Sequence, residues 1–268
     1  MNTFLIKILA ISIITYIFFV FLLFIFQRKL LYYPTENKFS EESSLKHKVD
    51  KIYISTQDGL SLIGWFHQKS IAKKTLLFFH GNAGTLDNRI YKLNHIGDCG
   101  VNFLIIAYRG FNGNPGKPSE KGLYLDAEAA LSWLNSKGIA TENIVIYGES
   151  LGTSVAIEIG QNKNFSGIIL EAPFTSMVSV GKKHYPLFPV KLLLKDKYEN
   201  AKKVKNIKFP ILVMHGKKDS IVPFAMGEKI YNLANVPKYK YFPEKDDHMM
   251  EFNENLINKM CSFLKNLN

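Results

Sequence analysis

NIVIYGESLGTSVAIEIG, residues 143–160, reads as a short run apolar on both faces, then a turn bounded by glycines, then a helix-forming stretch. The turn has the form G-x-S-x-G, with Ser150 between Gly148 and Gly152. Gly and Ser each make up roughly 7% of an average chain, so three such positions match by chance in about one chain of this size in ten. The setting carries more weight than the pattern: strand, tight turn and helix is the context that lifts a serine hydroxyl off the end of a sheet as a nucleophile elbow. Small residues at Gly148 and Gly152 let such a turn close without side-chain clash.

The run before the turn is one of several. TLLFFH (75–80), VNFLIIAY (101–108), SGIILE (166–171), PILVMHG (210–216) and YKYF (239–242) repeat it, separated by segments of helix length. Runs apolar on both faces suit buried parallel strands, and their alternation with helices predicts a doubly wound, mostly parallel α/β sheet. Upstream, KIYIST (51–56) and LSLIGWF (60–66) flank Gln57-Asp58-Gly59 and read as an antiparallel hairpin. Ser119 to Gly138 reads as a helix with Leu123, Ala127, Ala130, Leu131 and Leu134 on one side. The segment 250–267 places Phe252, Leu256, Met260, Phe263 and Leu267 at helical spacing, as core packing requires.

In open α/β sheets the chemistry gathers at the carboxyl ends of the strands. A serine hydroxyl needs a base to take its proton, so an elbow serine demands a histidine and an acid later in the chain. Of the seven histidines only His248 lies in a loop after the last strand and before the final helix. Asp219 is the only carboxylate in the turn after PILVMHG, where an acid can orient the imidazole. Asp246 and Asp247 are alternatives by position, but they share the short loop of the histidine and are expected to face water. Oxyanion donors are expected from the backbone N–H of Leu151, at the start of the elbow helix, and of Asn82, in the HGNAG turn (80–84). His80 and His215 read as structural turn residues. Neither a metal-ligand cluster nor a cofactor motif accompanies these residues.

The N-terminus differs from everything after it. From Ile8 to Phe26 there is no charge, Pro or Gly, which is long enough to cross a bilayer. A cleaved signal peptide has a shorter apolar region and a small-residue cleavage site, whereas this run ends FLLFIFQRKL. The reading is an uncleaved anchor over 1–29, a polar connector over 30–50 around Pro34 and SEESS, and a catalytic domain over 51–268. Arg28 and Lys29 follow the helix while Lys7 and the amino terminus precede it, an asymmetry that favours a cytoplasmic domain. A formal net charge of +11 invites a nucleic-acid reading, but the lysines form no stripe or motif, so attraction to anionic lipid headgroups accounts for it better. Cys99 and Cys261 do not suggest a disulfide framework and are compatible with either compartment.

Taken together, HGNAG, AYRG (107–110), GKPSEKGLYLDAEAAL (116–131), GESLGT (148–153), APFTS (172–176), HGKKDSIVP (215–223) and His248 resemble the α/β-hydrolase superfamily. Within it they are similar to the BEM46-like group with its membrane-anchored ABHD13-type members. The resemblance spans most of 51–265 and implies hydrolysis of an ester, thioester or amide through an acyl-enzyme. Two departures stand out. Asn112-Gly113-Asn114 replaces the group's Gly-x-Ser, a change the left-handed tolerance of Asn accommodates. Asp247 replaces the glycine usual before the histidine. The insertion at about 172–208, with its apolar HYPLFPVKLLL, is expected to form a small cap and favours apolar acyl chains, including those of membrane lipids.

Rival readings share these residues. A hydrolase fold can serve as a receptor or scaffold, which tight stoichiometric binding without turnover would reveal. The same triad can cut amides. A mature N-terminus beyond residue 26 would mark a secreted enzyme.

Overall fold

The structure, a computed structural model, describes residues 3–35, 44–70 and 73–267. The SEESS stretch lies outside them except for its last serine. The chain opens with α1 (Thr3–Leu31), a helix none of whose residues is fully buried. Its 29 residues make it long and apolar enough to cross a membrane. The helix runs to Leu31 rather than ending near residue 29, because Leu30 and Leu31 continue it until Pro34 holds Tyr33 extended. Tyr33–Pro34 then forms β1, which pairs in parallel with β5 (Ala83–Gly84). The start of the expected connector is thus joined directly to the HGNAG turn.

The expected hairpin is β2 (Asp50–Ser55) and β3 (Ser61–His67), paired antiparallel around Gly59, whose φ of +84° suits glycine. Together with β4 (Thr75–Phe79), β6 (Asn102–Ile106), β7 (Ile144–Glu149), β8 (Gly167–Glu171), β9 (Ile211–Met214) and β10 (Lys238–Tyr241) they build an eight-stranded sheet. Its order is β10-β9-β8-β7-β4-β6-β3-β2. The six strands from β10 to β6 are parallel, and β3 turns antiparallel against β6. Every residue of β4, β6, β7, β8 and β9 is buried, which is why they lack the alternation of a one-sided sheet. The chain crosses from β6 to β7 over β4, so the carboxyl end of β7 sits beside the switch in strand order where such sheets bind ligands.

Helices α2 (Ile90–Asp98), α3 (Glu120–Ser136), α4 (Leu151–Gly160) and α8 (Phe224–Leu233) join the strands, and α9 (Glu254–Lys265) follows the last of them. Between β8 and β9 lie α5 (Met177–His184), α6 (Val190–Leu193) and α7 (Asn200–Lys203), the elements of the cap. In α3 the expected face of Leu123, Ala127, Ala130, Leu131 and Leu134 is buried, and the Ser119 hydroxyl caps the helix by accepting the Gly122 N–H at 3.1 Å. Burying each leucine stabilises the fold by about 2 kcal/mol. Helix α9 starts later than its hydrophobic spacing suggests. Asn253 caps it by accepting the Leu256 N–H at 3.1 Å, which leaves Phe252 ahead of the helix, edge-on against Tyr91.

One expectation is overturned by the packing of these helices. Cys99, just after α2, and Cys261, in α9, form a disulfide across 162 residues of chain. Two cysteines so far apart carry no spacing signal, and only the folding of α9 beside α2 brings their Cα atoms to 5.1 Å. Disulfides persist mainly in oxidising compartments, whereas the flanking charges favour a cytoplasmic domain.

Candidate active site

Ser150 stands at the end of β7 with φ +49° and ψ −111°, a conformation that costs a non-glycine residue about 1–3 kcal/mol. The surroundings hold it there. Its N–H donates to Glu171 O at 2.8 Å, and its carbonyl accepts from the Thr153 N–H at 3.0 Å and hydroxyl at 2.6 Å. The flanking glycines are required by close approach. A Cβ at Gly148 would lie 2.5 Å from Gly152 O, and one at Gly152 would lie 2.0 Å from Phe79 O.

The three side chains expected to work together meet. Ser150 Oγ lies 3.0 Å from His248 Nε2, and His248 Nδ1 lies 2.8 Å from Asp219 Oδ2. Asp219 Oδ1 accepts the N–H groups of Ile221 at 2.9 Å and Val222 at 2.7 Å. Burial pushes the Asp219 carboxyl up. Hydrogen bonds from His215 and His248, the charge of His248 and the Val222 N–H outweigh that and hold it well below the usual carboxylate range. Such an acid stays ionised throughout the working pH range, so any acid limb of activity must come from another group.

Two neighbours were not legible in their full role. His215, expected only as a turn residue, is fully buried with Nε2 at 3.0 Å from both Asp219 Oδ2 and Val222 O. It is a second donor to the carboxylate; its place four residues before Asp219 was the available signal. Asp247 does not simply face water. Its carboxylate accepts the Ser220 N–H at 2.7 Å, the Ser220 hydroxyl at 2.8 Å and the His248 N–H at 2.7 Å. It therefore ties the histidine loop to the turn that carries Asp219, a use for a carboxylate that a glycine there could not serve. Asp246 accepts the Glu251 N–H at 3.1 Å within its own loop.

Asn82 and Leu151 line the same cavity as Ser150 and His248, and among the described residues neither backbone N–H has an acceptor within the protein. The Asn82 turn is anchored from the other side. The Asn82 amide donates to Leu31 O at 2.8 Å, and Asn82 O accepts the Tyr33 N–H at 2.8 Å. His80 is buried, with Nδ1 2.8 Å from Gly81 O, and burial together with the Arg89 charge pushes its pKa down to about 3. It is a neutral strut, as expected. At the departure over 112–114, Asn112 takes φ +52° and Gly113 φ +75°, and Asn112 accepts the Leu86 N–H at 3.2 Å, so the loop keeps a left-handed path.

Beneath the elbow lies a charged cluster that motif reading passed over. Lys92 Nζ, fully buried, reaches Glu149 at 2.7 Å and Glu171 at 2.8 Å, and Arg89 reaches Glu149 at 2.6 Å. Glu149 also accepts the Gly81 N–H at 3.3 Å, so the residue before Ser150 supports the turn that carries Asn82. Burial pushes the Glu149 carboxyl up, but the Arg89 and Lys92 charges prevail and hold it well below the usual range. Lys92 shares a buried face of α2 with Leu93 and Ile96, and Arg89 stands just before the helix; two cations beside an apolar face were the signal. Replacing Lys92 by Met leaves two carboxylates against one guanidinium. The expected cost is about 3–5 kcal/mol in urea unfolding of the detergent-solubilised protein at pH 7. A depressed carboxyl contributes stability above its unfolded pKa and loses it as pH falls, so the deficit should narrow below about pH 4.3.

The cavity above Ser150 measures about 620 Å³, the size of a pocket for a small organic ligand. The cap supplies Met177, Val180, Tyr185, Phe188 and Val190 to its walls, and α1 supplies Leu23, Gln27, Leu30 and Leu31. An apolar chamber ending at a serine, a histidine and free N–H groups can hold an acyl chain with its carbonyl at the hydroxyl.

Comparisons with known proteins bear on the family and the fold. Residues 118–266, more than half of the chain, match the model of the prolyl oligopeptidase family. An uncharacterized protein of Mycobacterium tuberculosis is 35% identical over 215 residues, covering 79% of this chain and 76% of its own length. Human alpha/beta hydrolase domain-containing protein 17B is 33% identical over 183 residues, 66% of this chain and 61% of that one. The Pyrococcus furiosus esterase Pf2001 superimposes with a TM-score of 0.73 at 19% identity, over 88% of this chain and 99% of its own. An alpha-beta hydrolase from Vibrio vulnificus does so with a TM-score of 0.68 at 24% identity, over 83% and 81%. At such identities the superpositions speak for the fold.

Proposed function

Because the chain belongs to the prolyl oligopeptidase family, within the α/β-hydrolase superfamily, we propose that it is a membrane-anchored serine hydrolase cleaving an ester or thioester of an apolar acyl group. The observation that carries this is the chain of contacts from Ser150 Oγ through His248 to Asp219, at 3.0 and 2.8 Å, opening into an apolar cavity. Ser150 Oγ attacks the acyl carbonyl carbon while His248 Nε2 takes the hydroxyl proton. Asp219, accepting from Nδ1–H, keeps the imidazole in that tautomer and stabilises the imidazolium. The Leu151 and Asn82 N–H groups receive the oxyanion. The proton on Nε2 passes to the departing alkoxide or thiolate. Water, deprotonated by the same nitrogen, then releases the acid and restores Ser150.

The Pyrococcus protein is an esterase, which makes the ester the first bond to test here. The finer likeness to the BEM46-like group rests on the motifs quoted above. The apolar N-terminus, with its helix carried on to Leu31, acts as the anchor, and the chain from about residue 50 onward as the hydrolase domain with its cap at about 172–208. The Cys99–Cys261 bond supports a domain on the oxidising face of the membrane, since the reducing cytosol does not keep such bonds.

A fluorophosphonate probe that cannot cross membranes tests chemistry and sidedness together. Labelling is expected on intact cells, to vanish in Ser150→Ala and to persist in Ser44→Ala. Equal labelling of both variants would sink the hydrolase reading. Labelling only after lysis would return the domain to the cytoplasm.

A further inference from the structure

Helix α1 does more than carry the domain. Its half-buried residues in the second half are Val20, Leu22, Leu23, Gln27 and Leu31, four of which recur at spacings of three and four along one face. Tyr16 lies on that face too, since seven residues separate it from Leu23 and eleven from Gln27. This face meets the cap. Tyr16 OH donates to Leu187 O at 2.9 Å, and the Tyr16 ring stacks on Phe188 at 5.8 Å. The Gln27 side chain donates to Leu193 O at 3.1 Å and accepts the Lys195 N–H at 2.7 Å. Arg28 pairs with Asp196 at 2.8 Å.

These contacts set a depth. Arg28 and Lys29 end the apolar run and belong at the headgroup level, where their charges reach water. Tyr16 lies twelve residues before Arg28, about 18 Å along the helix axis and well inside the apolar span. The cap segment that meets Tyr16 is therefore carried down beside α1 to hydrocarbon depth. Its composition suits that place: Leu187 is 81% exposed and Leu192 83%, side chains that water disfavours and acyl chains accept. Its irregular backbone would leave carbonyls unpaired in lipid, and Tyr16 and Gln27 satisfy two of them.

The cavity lies between these same two elements, with Leu23, Leu30 and Leu31 on one wall and Phe188, Val190 and Leu193 on the other. From Leu31 to Leu23 the α1 wall extends about 12 Å along the helix, from the oxyanion turn toward the bilayer interior. Resting on the serine-hydrolase reading above, we propose that the cleft between α1 and the cap opens into the hydrocarbon layer. The substrate is an ester whose acyl chain lies in the bilayer and slides in sideways until its carbonyl meets Ser150. The α1 helix is then a wall of the substrate site as well as an anchor.

The test uses the full-length protein in dioleoylphosphatidylcholine vesicles, with p-nitrophenyl palmitate dissolved in the bilayer and p-nitrophenyl acetate in the surrounding water. Leu187 and Leu192 line no part of the cavity, so changing both to Asp alters how the cap sits in lipid without touching the site. The double variant is expected to lose about tenfold or more of its palmitate turnover, as charge resists burial in hydrocarbon, and to keep acetate turnover. A parallel fall on both esters, no fall on palmitate, or a wild-type protein that cleaves acetate but not bilayer palmitate overturns the proposal. A second readout is independent of catalysis. Leu187→Trp should gain fluorescence that brominated lipids quench and aqueous iodide does not, and the reverse pattern also overturns it. Failure of the hydrolase reading looks different: Ser150→Ala would then cleave acetate as fast as the wild type, whatever the quenching shows.

Discussion

Replacing Ser150 by alanine is expected to lower kcat on an activated ester by about 10⁴- to 10⁶-fold, with KM little changed. The size follows from what remains. Without Oγ there is no acyl-enzyme, and His248 can at best activate a water in its place, while the Leu151 and Asn82 N–H groups still polarise the bound carbonyl. The substitution removes a hydroxyl from a position whose backbone is held by Glu171 O and Thr153, so the elbow should keep its shape. Steady-state kinetics beside a circular dichroism spectrum identical to the wild type would show that chemistry alone was lost. A drop of less than tenfold would remove Ser150 from the reaction.

Asp219→Asn is the second large effect, expected at about 10⁴-fold in kcat. Its cause is the direction of one hydrogen bond. Asp219 Oδ1 holds two backbone N–H groups and Oδ2 faces two histidines. In the asparagine variant the carbonyl oxygen stays with the two N–H groups, so the NH₂ turns toward His248 Nδ1. That nitrogen must then accept, the proton moves to Nε2, and Nε2 can no longer take one from Ser150. His215 meets the same NH₂ and is left with Val222 O as its acceptor. Rate measurement together with the imidazole N–H shifts in an NMR spectrum checks this. An unchanged Nδ1–H signal with full activity would show that Asp219 does not orient the base.

Much of this site could be read from residues alone, for a physical reason. Buried parallel strands leave unbroken apolar runs, so β4, β6, β7, β8 and β9 mark their own ends, and the triad residues sit where those ends and the loop after β10 fall. His248 could be chosen among seven histidines by chain order, and Gly148 and Gly152 by the tightness of the elbow. What escaped depends on contacts between segments that no local period connects. Lys92 reads as a helical lysine until the folded sheet sets Glu149 and Glu171 beneath it. His215 reads as a turn residue until Asp219 curls back over it. Tyr16 lies inside the apolar run and Gln27 just after it, and only the cap folded beside them shows what they bond. The cysteines carry the same lesson, since pairing across 162 residues leaves no trace in spacing.

That disulfide also gives the molecule a topology. Ser150, Asp219, His248 and the whole cap lie between Cys99 and Cys261, inside a covalent ring. In a chain-entropy treatment, closing a ring of that size disfavours the unfolded chain by about 5 kcal/mol. The ring also changes what a protease can do from outside. A single cut in any exposed loop from residue 100 to 260 opens the ring but releases nothing, so both pieces stay tethered to each other and to α1. On the placement proposed above, at the oxidising face of a membrane where proteases are neighbours, the protein can be nicked there without being shed.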